Sequence, residues 1–170
     1  TGDELIMKKN VEKFRGSLRP FCNIIVSCRG KNGKNNALAV AYACNCSYDP
    51  PMIMIGIVPD RYSYQMIKDT GVFVVNLVST DNKREFWYLG NHSGRDTDKF
   101  KELDLNYEDA VKIDAPILTD FPVNIECEVV DSIKPGSHEM FAGKIVNIQA
   151  DEEYVKENHE INFRKIKLIG

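Results

Sequence analysis

The chain has 170 residues, 43% of them hydrophobic, enough for one sizeable core and an argument against two domains. Its 22 basic and 25 acidic residues nearly cancel to a formal charge of −3, and neither sign gathers into a block, so nucleic acid is not an expected partner. No apolar run approaches the roughly 18 residues that cross a bilayer, and the Lys-rich start lacks a signal-peptide core, which predicts a soluble, cytoplasmic protein with no membrane partner.

Residues 3–14 scatter Leu5, Ile6, Val11 and Phe14 among Lys and Glu, a weakly helical or irregular lead-in that ends before Gly16 and Pro20. Phe21 to Cys28 is short, apolar and β-branched, hence a strand; the polar tract Arg29 to Asn36 breaks it, and Ala37 to Cys44 resumes it as the second arm of a hairpin. After Asp49-Pro50-Pro51, which imposes extended or turn geometry, Met52 to Val58 is apolar on both faces and predicts a fully buried strand. Tyr62 to Asp69 places Tyr62, Met66 and Ile67 at helical spacing with Gly71 as terminator, and Val72 to Val78 is again a strand, giving a strand, helix, strand unit.

Two short helices are predicted at Asp81 to Leu89 and Asp96 to Leu103, separated by the turn Gly90 to Gly94. Pro116 and Pro122 mark a return to strands. A second hairpin follows, from Val123 through the Pro135-Gly136 turn to Met140–Ile148, and Ile161, Phe163, Ile166 and Leu168 suggest a terminal strand. There is no internal repeat. The chain therefore reads as mainly β, with six or seven strands and short helices, and an antiparallel barrel would remove the open edges of such short strands.

The five cysteines are odd in number and fit a reducing compartment better than a disulfide framework. Cys44 and Cys46 share one face of a strand. Without a second close pair of ligands they read as buried or half-buried thiols rather than a metal site, and C-x-C in a strand holds two thiols poorly for a disulfide. The histidines His92, His138 and His159 lie far apart, and no nucleophile elbow, zinc-protease, Walker or dinucleotide fingerprint occurs. For Phe86, Trp87 and Tyr88 simple helix packing is expected, because adjacent residues on a helix cannot all face one site.

What remains is a set of loops rich in donors: Asn35-Asn36 at a strand start, Arg61-Tyr62-Ser63 at a helix start, and Ser93-Gly94-Arg95 leading to Lys99-Phe100. Hydroxyls, free helix N–H groups and a cation are what an organic phosphate requires, although each residue alone reads equally as a cap, a turn former or a solvated charge.

Asn36 through Asn76 (NALAVAYACNCSYDPPMIMIGIVPDRYSYQMIKDTGVFVVN), then SGRDTDKF from Ser93, APIL from Ala115, IECEVV from Ile125 and SHEMFAGKI from Ser137, resemble in order the flavin reductase and flavoredoxin family of FMN-binding split barrels. The resemblance runs from about Pro20 to Ile148. It implies FMN as cofactor, with Asn36, Ala37 and Leu38 along the flavin ring edge, Tyr42 near the ring and Ser47 in the loop before DPP. Arg61, Ser63, Ser93 and Lys99 would meet the ribityl chain and phosphate. His138 would stand near the ring or a nicotinamide pocket and stabilise charge on reduced flavin. Leu38 departs from the Thr common at that place.

The same resemblance implies a homodimer whose interface completes the site. Its activity would be that of an NAD(P)H-dependent reductase passing electrons to flavin, ferric iron or another small acceptor, or else that of an electron carrier serving a redox protein. A barrel used only for flavin storage is the third reading.

Overall fold

The computed structural model describes residue 2 and residues 6–170, so positions 3–5 of the expected lead-in lie outside the described residues. From Ile6 to Asn23 the backbone forms neither helix nor strand, and Ile6, Met7, Val11, Phe14 and Leu18 are exposed. The first hairpin joins β1 (Ile24–Arg29) to β2 (Asn35–Val40). Its loop is shorter than the polar tract suggests, because Asn35 and Asn36 enter the ladder opposite Arg29 and Cys28.

The run Ala37 to Cys44 is not one strand. It breaks at Ala41-Tyr42, and the chain restarts as β3 (Ala43–Tyr48), which pairs with β4 (Pro51–Ile57). Helix α1 (Tyr62–Thr70) leads to β5 (Val72–Leu77). A one-turn 3-10 segment capped by Ser79 then precedes α2 (Lys83–Asn91), followed by the single turn α3 (Lys99–Glu102). The short strands β6 (Tyr107–Asp109) and β7 (Pro116–Leu118) and the long hairpin β8 (Val123–Ile133) and β9 (Glu139–Ala150) complete the regular elements. No helix is long and apolar enough to cross a membrane among the described residues.

Seven strands form one antiparallel sheet in the order β2-β1-β5-β8-β9-β4-β3. Strands β2 and β3 follow one another in the chain yet occupy opposite edges, so the sheet must curl until they meet. The Gly56 N–H donates to the Tyr42 carbonyl at 2.7 Å, which carries the β3–β4 ladder one position beyond Ala43 towards the end of β2. A Cβ at Gly56 would lie 2.6 Å from Met140 Sδ and 3.3 Å from Tyr42 Cβ, so a larger residue here would require the Met140 side chain to shift. The strand, helix, strand unit also differs from a local crossover: β9 and β8 stand between β4 and β5, and α1 spans one end of the barrel.

The barrel interior takes one face of each strand. Ile53, Ile55 and Ile57 point inward among Val26, Phe73, Val75 and Phe141, and Met66 and Ile67 of α1 plug the end. Met52 and Met54 are only half-buried, which corrects the reading of this strand as buried on both faces; the curled sheet has a single packed interior. A second cluster, with Ile25, Ala37, Leu89, Phe100 and Phe121, lies under α2 and α3 on the outside of β1 and β2.

Polar ties hold the elements in register. Buried Asn76 donates to Ile25 O and Ser27 Oγ and accepts from Leu118 N–H and the Asn124 amide, which gives the VVN stretch a structural role.

Three expectations change at the periphery. Of the α2 aromatics only Phe86 packs against the core; Trp87 is 67% exposed and Tyr88 stacks on His92 with centroids 3.9 Å apart, since successive helical residues point about 100° apart. The helix expected from Asp96 forms only after Asp98, which caps it through Lys101 N–H. The terminal strand does not form: residues 163–165 make a 3-10 turn, Leu168 makes an isolated bridge to Ser79, and Ile166 alone is buried in the core.

Candidate functional site

A polar cleft of about 580 Å³ opens between the start of β2, the N-terminus of α1, the end of α2 and the turn at residues 93–96. Asn36, Leu38, Arg61, Ser63, Ser93 and Lys99 line it, so the structure gathers most of the residues that the donor-rich loops and the resemblance indicated. Arg61 occupies the N-cap position of α1 but supplies no side-chain cap, which leaves the positive end of a nine-residue helix without a side-chain acceptor. Its guanidinium has no hydrogen-bond or ion-pair partner among the described residues.

Lys99 sits on the floor, 3% exposed, where Nζ donates to Ala37 O at 2.8 Å and Leu89 O at 2.9 Å. An ammonium has three donors, so one N–H remains for the cleft. Burial, with a smaller contribution from Arg61, lowers its pKa to about 8. Ser63 is fully buried, and its Oγ accepts the Asn36 amide at 2.7 Å, which fixes the orientation of Asn36 at the cleft wall.

Gly94 closes against the same wall: a Cβ there would lie 2.5 Å from Tyr62 Cδ1 and 2.7 Å from Asn36 Oδ1. Lys34 Nζ donates to Gly94 O at 3.0 Å and stands 4.9 Å from the centre of the Tyr62 ring, and Arg95 donates to Asp60 O at 2.6 Å.

Other indicated residues lie elsewhere. Ala37 faces the cluster under α2 and reaches the site only through its carbonyl. Ser47 lines a separate shallow recess with Cys46 and Tyr48. Tyr42 and His138 form an aromatic pair with centroids 4.6 Å apart, backed by Phe21 at 6.0 Å from Tyr42. Ser137 Oγ lies 2.9 Å from His138 Nδ1, leaving Nε2 free. Burial first, then the charges of Arg61 and Arg15, push the His138 pKa down and favour the neutral ring. The Arg61 charge bears on both Lys99 and His138, lowering the pKa of each.

Sequence reasoning did not single out Lys34, Gly94, Arg95 and His92 as site residues. Gly94 and Arg95 stood inside the SGR stretch, whereas Lys34 carries no local signal, because its partner Gly94 is 60 residues away in sequence.

Fit to a phosphorylated ligand follows from the donor set. The third Lys99 N–H, the unpartnered Arg61 fork and the free α1 N–H groups offer charge-assisted bonds around this volume. The curled antiparallel barrel with short helices is a split-barrel fold. The chain belongs to the flavin reductase like domain family, whose pattern matches residues 20–167.

Among curated relatives, the FMN reductase (NADH) RutF of Acinetobacter baylyi is 27% identical over 149 residues, covering 86% of this chain and 76% of that protein. Among solved structures, flavoredoxin of Desulfovibrio vulgaris (Miyazaki F) superposes with a TM-score of 0.86 at 26% identity, covering 96% of this chain and 94% of that one. Flavoredoxin from Methanosarcina acetivorans gives a TM-score of 0.84 at 22% identity over 95% and 85% of the two chains, a likeness of fold.

Proposed function

We propose that the chain binds FMN and acts as an NAD(P)H-dependent reductase that passes electrons to free flavin, ferric iron or another small acceptor. The observation that carries this is the cationic cleft itself, where Arg61, the buried Lys99 ammonium and the α1 N-terminus meet in one polar volume. In this reading Arg61, Lys99, Ser93 and the α1 N-terminus hold the phosphate, and Ser63 orients Asn36. Asn36 and Leu38, with the backbone at Ala37, border the ring edge, and Tyr42 offers an aromatic surface. In the tautomer in which Nδ1 accepts from Ser137 Oγ, His138 carries its proton at Nε2 and presents a donor where negative charge develops. Bound FMN supplies the hydride and electron chemistry itself.

A homodimer belongs to the same reading. Tyr48 at 95% exposure, the bare apolar side chains of residues 6–18 and exposed Trp87 make a large apolar surface for one chain. The similarity in fold to flavoredoxins supports a second reading, an electron carrier that serves a protein partner.

Titration with FMN and riboflavin, followed by anaerobic stopped-flow mixing of the FMN-loaded protein with NADH and NADPH, tests the proposal. Absence of FMN binding would refute it. Flavin that stays oxidised with both nicotinamides but bleaches with a reduced ferredoxin-like donor would select the carrier.

A further inference from the structure

His92 stands at the C-cap of α2 and lines the cleft beside Ser93, Arg95 and Lys99. Its ring is held twice. It stacks on Tyr88 with centroids 3.9 Å apart and planes 14° apart, and its Nδ1 lies 2.9 Å from the Tyr88 carbonyl oxygen. That partner fixes the proton: a carbonyl oxygen only accepts, so Nδ1 carries the hydrogen, and in the neutral ring Nε2 is left with a bare lone pair. His138 differs, because its Nδ1 faces a hydroxyl that can donate or accept.

The backbone on both sides of the ring is tied down as well. Lys99 Nζ holds the Leu89 carbonyl three residues before His92, and the Ser93 carbonyl after it accepts from Asp96 N–H at 3.1 Å and Thr97 N–H at 3.2 Å. Among the described residues Nε2 is the one polar atom of this side chain without a partner, and it belongs to a ring whose place at the cleft wall is set in advance. The titratable groups that share the cleft with it are Tyr88 from α2, Asp60 and Arg61 before α1, Arg95 and Asp96 in the turn, and Lys99 of α3; β2 adds none. Three cations against two carboxylates leave the lining positive, which favours an anionic ligand.

A dianionic phosphate monoester presents only lone pairs, as neutral His92 does at Nε2. Facing each other they repel, but with one proton between them they form a charge-assisted hydrogen bond, whichever partner brought it. The monoester loses its second proton near about pH 6, and imidazole is the side chain that titrates between about pH 5 and 8.

We propose that His92 is a further phosphate-contact residue, and that the phosphate of the bound ligand is held with one proton shared between its oxygen and His92 Nε2. The assignment rests on the FMN reading of the cleft and adds to it a residue and a proton. Binding moves no electrons and breaks no bond to phosphorus; where neither free partner holds the proton, it is taken from solvent on binding and returned on release.

The test measures FMN and riboflavin affinity of the whole chain by flavin fluorescence from pH 6 to pH 8, for the wild type, His92→Phe and His92→Gln, with folding followed by circular dichroism. Phe keeps a ring on Tyr88 and loses Nε2, whereas Gln keeps a donor that needs no proton. Titration of the free phosphate is common to all three chains, so the differences between them decide. At pH 6 His92→Phe is expected to bind FMN about tenfold more weakly than wild type with riboflavin unchanged, and that gap should close towards pH 8. His92→Gln should bind FMN more tightly than His92→Phe by a factor that does not vary with pH. In protein carrying nitrogen-15 in its histidines, FMN at pH 7.5 is expected to move the His92 Nε2 resonance away from the position of a bare nitrogen, and riboflavin to leave it in place. The same pH dependence in wild type and His92→Phe, equal losses of FMN and riboflavin in His92→Phe, or an Nε2 resonance that FMN does not move would each overturn the assignment while leaving FMN as the ligand. A chain that binds no FMN at any of these pH values fails both readings.

Discussion

Lys99 Nζ donates to the Ala37 carbonyl at 2.8 Å, so the ammonium that borders the cleft also ties the start of α3 to β2. The bond to Leu89 O adds the end of α2, and one N–H is left over. Truncation to alanine would therefore orphan two carbonyls as well as remove a ligand contact, and its effect on binding would be mixed.

Titration separates the two roles. With the free-state pKa lowered to about 8, a phosphate at the third N–H stabilises the charged form and raises that value. FMN binding is therefore expected to take up protons between about pH 8 and 9, and FMN affinity to fall as pH rises through that range, with riboflavin affinity flat. Calorimetry in two buffers of different ionisation heat measures the uptake; none at pH 8 to 9 would remove Lys99 from the phosphate.

Arg61 makes the cleaner substitution, since its guanidinium anchors nothing else. Arg61→Gln is expected to weaken FMN by about 1–2 kcal/mol, at the lower end for charge-assisted bonds because the side chain is exposed, and riboflavin much less. Added salt should shrink the wild-type preference for FMN in the same direction. Equal losses for both ligands would point to misfolding and sink the assignment.

His138→Ala tests the aromatic pair. If Nε2 of His138 stabilises developing charge, the rate of flavin reduction by NADH is expected to fall ten- to hundred-fold, or about 1.4–2.7 kcal/mol of barrier, with FMN affinity little changed. A rate equal to wild type would leave His138 as a packing partner of Tyr42 only.

Glu126 predicts behaviour in acid. Fully buried, it accepts from Val111 N–H, Lys112 N–H and the Asn147 amide. Burial works to raise its pKa, but these donors outweigh it and the value falls below that of a free glutamate. A depressed folded pKa means that the stabilisation is present at neutral pH and lost as pH falls through the acid range below about 4.5. Glu126→Gln is expected to cost about 1–3 kcal/mol in urea melts at pH 7, with the gap to wild type narrowing by pH 3. A gap unchanged between the two pH values would contradict this role.

Much of this was legible in the sequence. The β-branched runs, the two hairpins, Gly71 as a helix terminator and the donor-rich loops are local signals, written in neighbouring residues, and each appears within a few positions of its expected place. Strand boundaries slipped where a side chain answers to a distant partner: Asn36 is polar and reads as loop, yet it enters β2 because Ser63 of α1 supplies its hydrogen bond.

By itself, then, the sequence determined the mainly β class, the family resemblance and the chemistry of the loops that line the cleft, because alternation, turn residues and donor groups act over short range. Only the tertiary structure decided that the Ala37 to Cys44 run splits to serve opposite sheet edges, that Lys99 is buried under two carbonyls, that Tyr42 and His138 form a tilted aromatic pair and that Cys44 and Cys46 are exposed. Each of these depends on contacts between residues distant in the chain, of which the separate local patterns carry no trace.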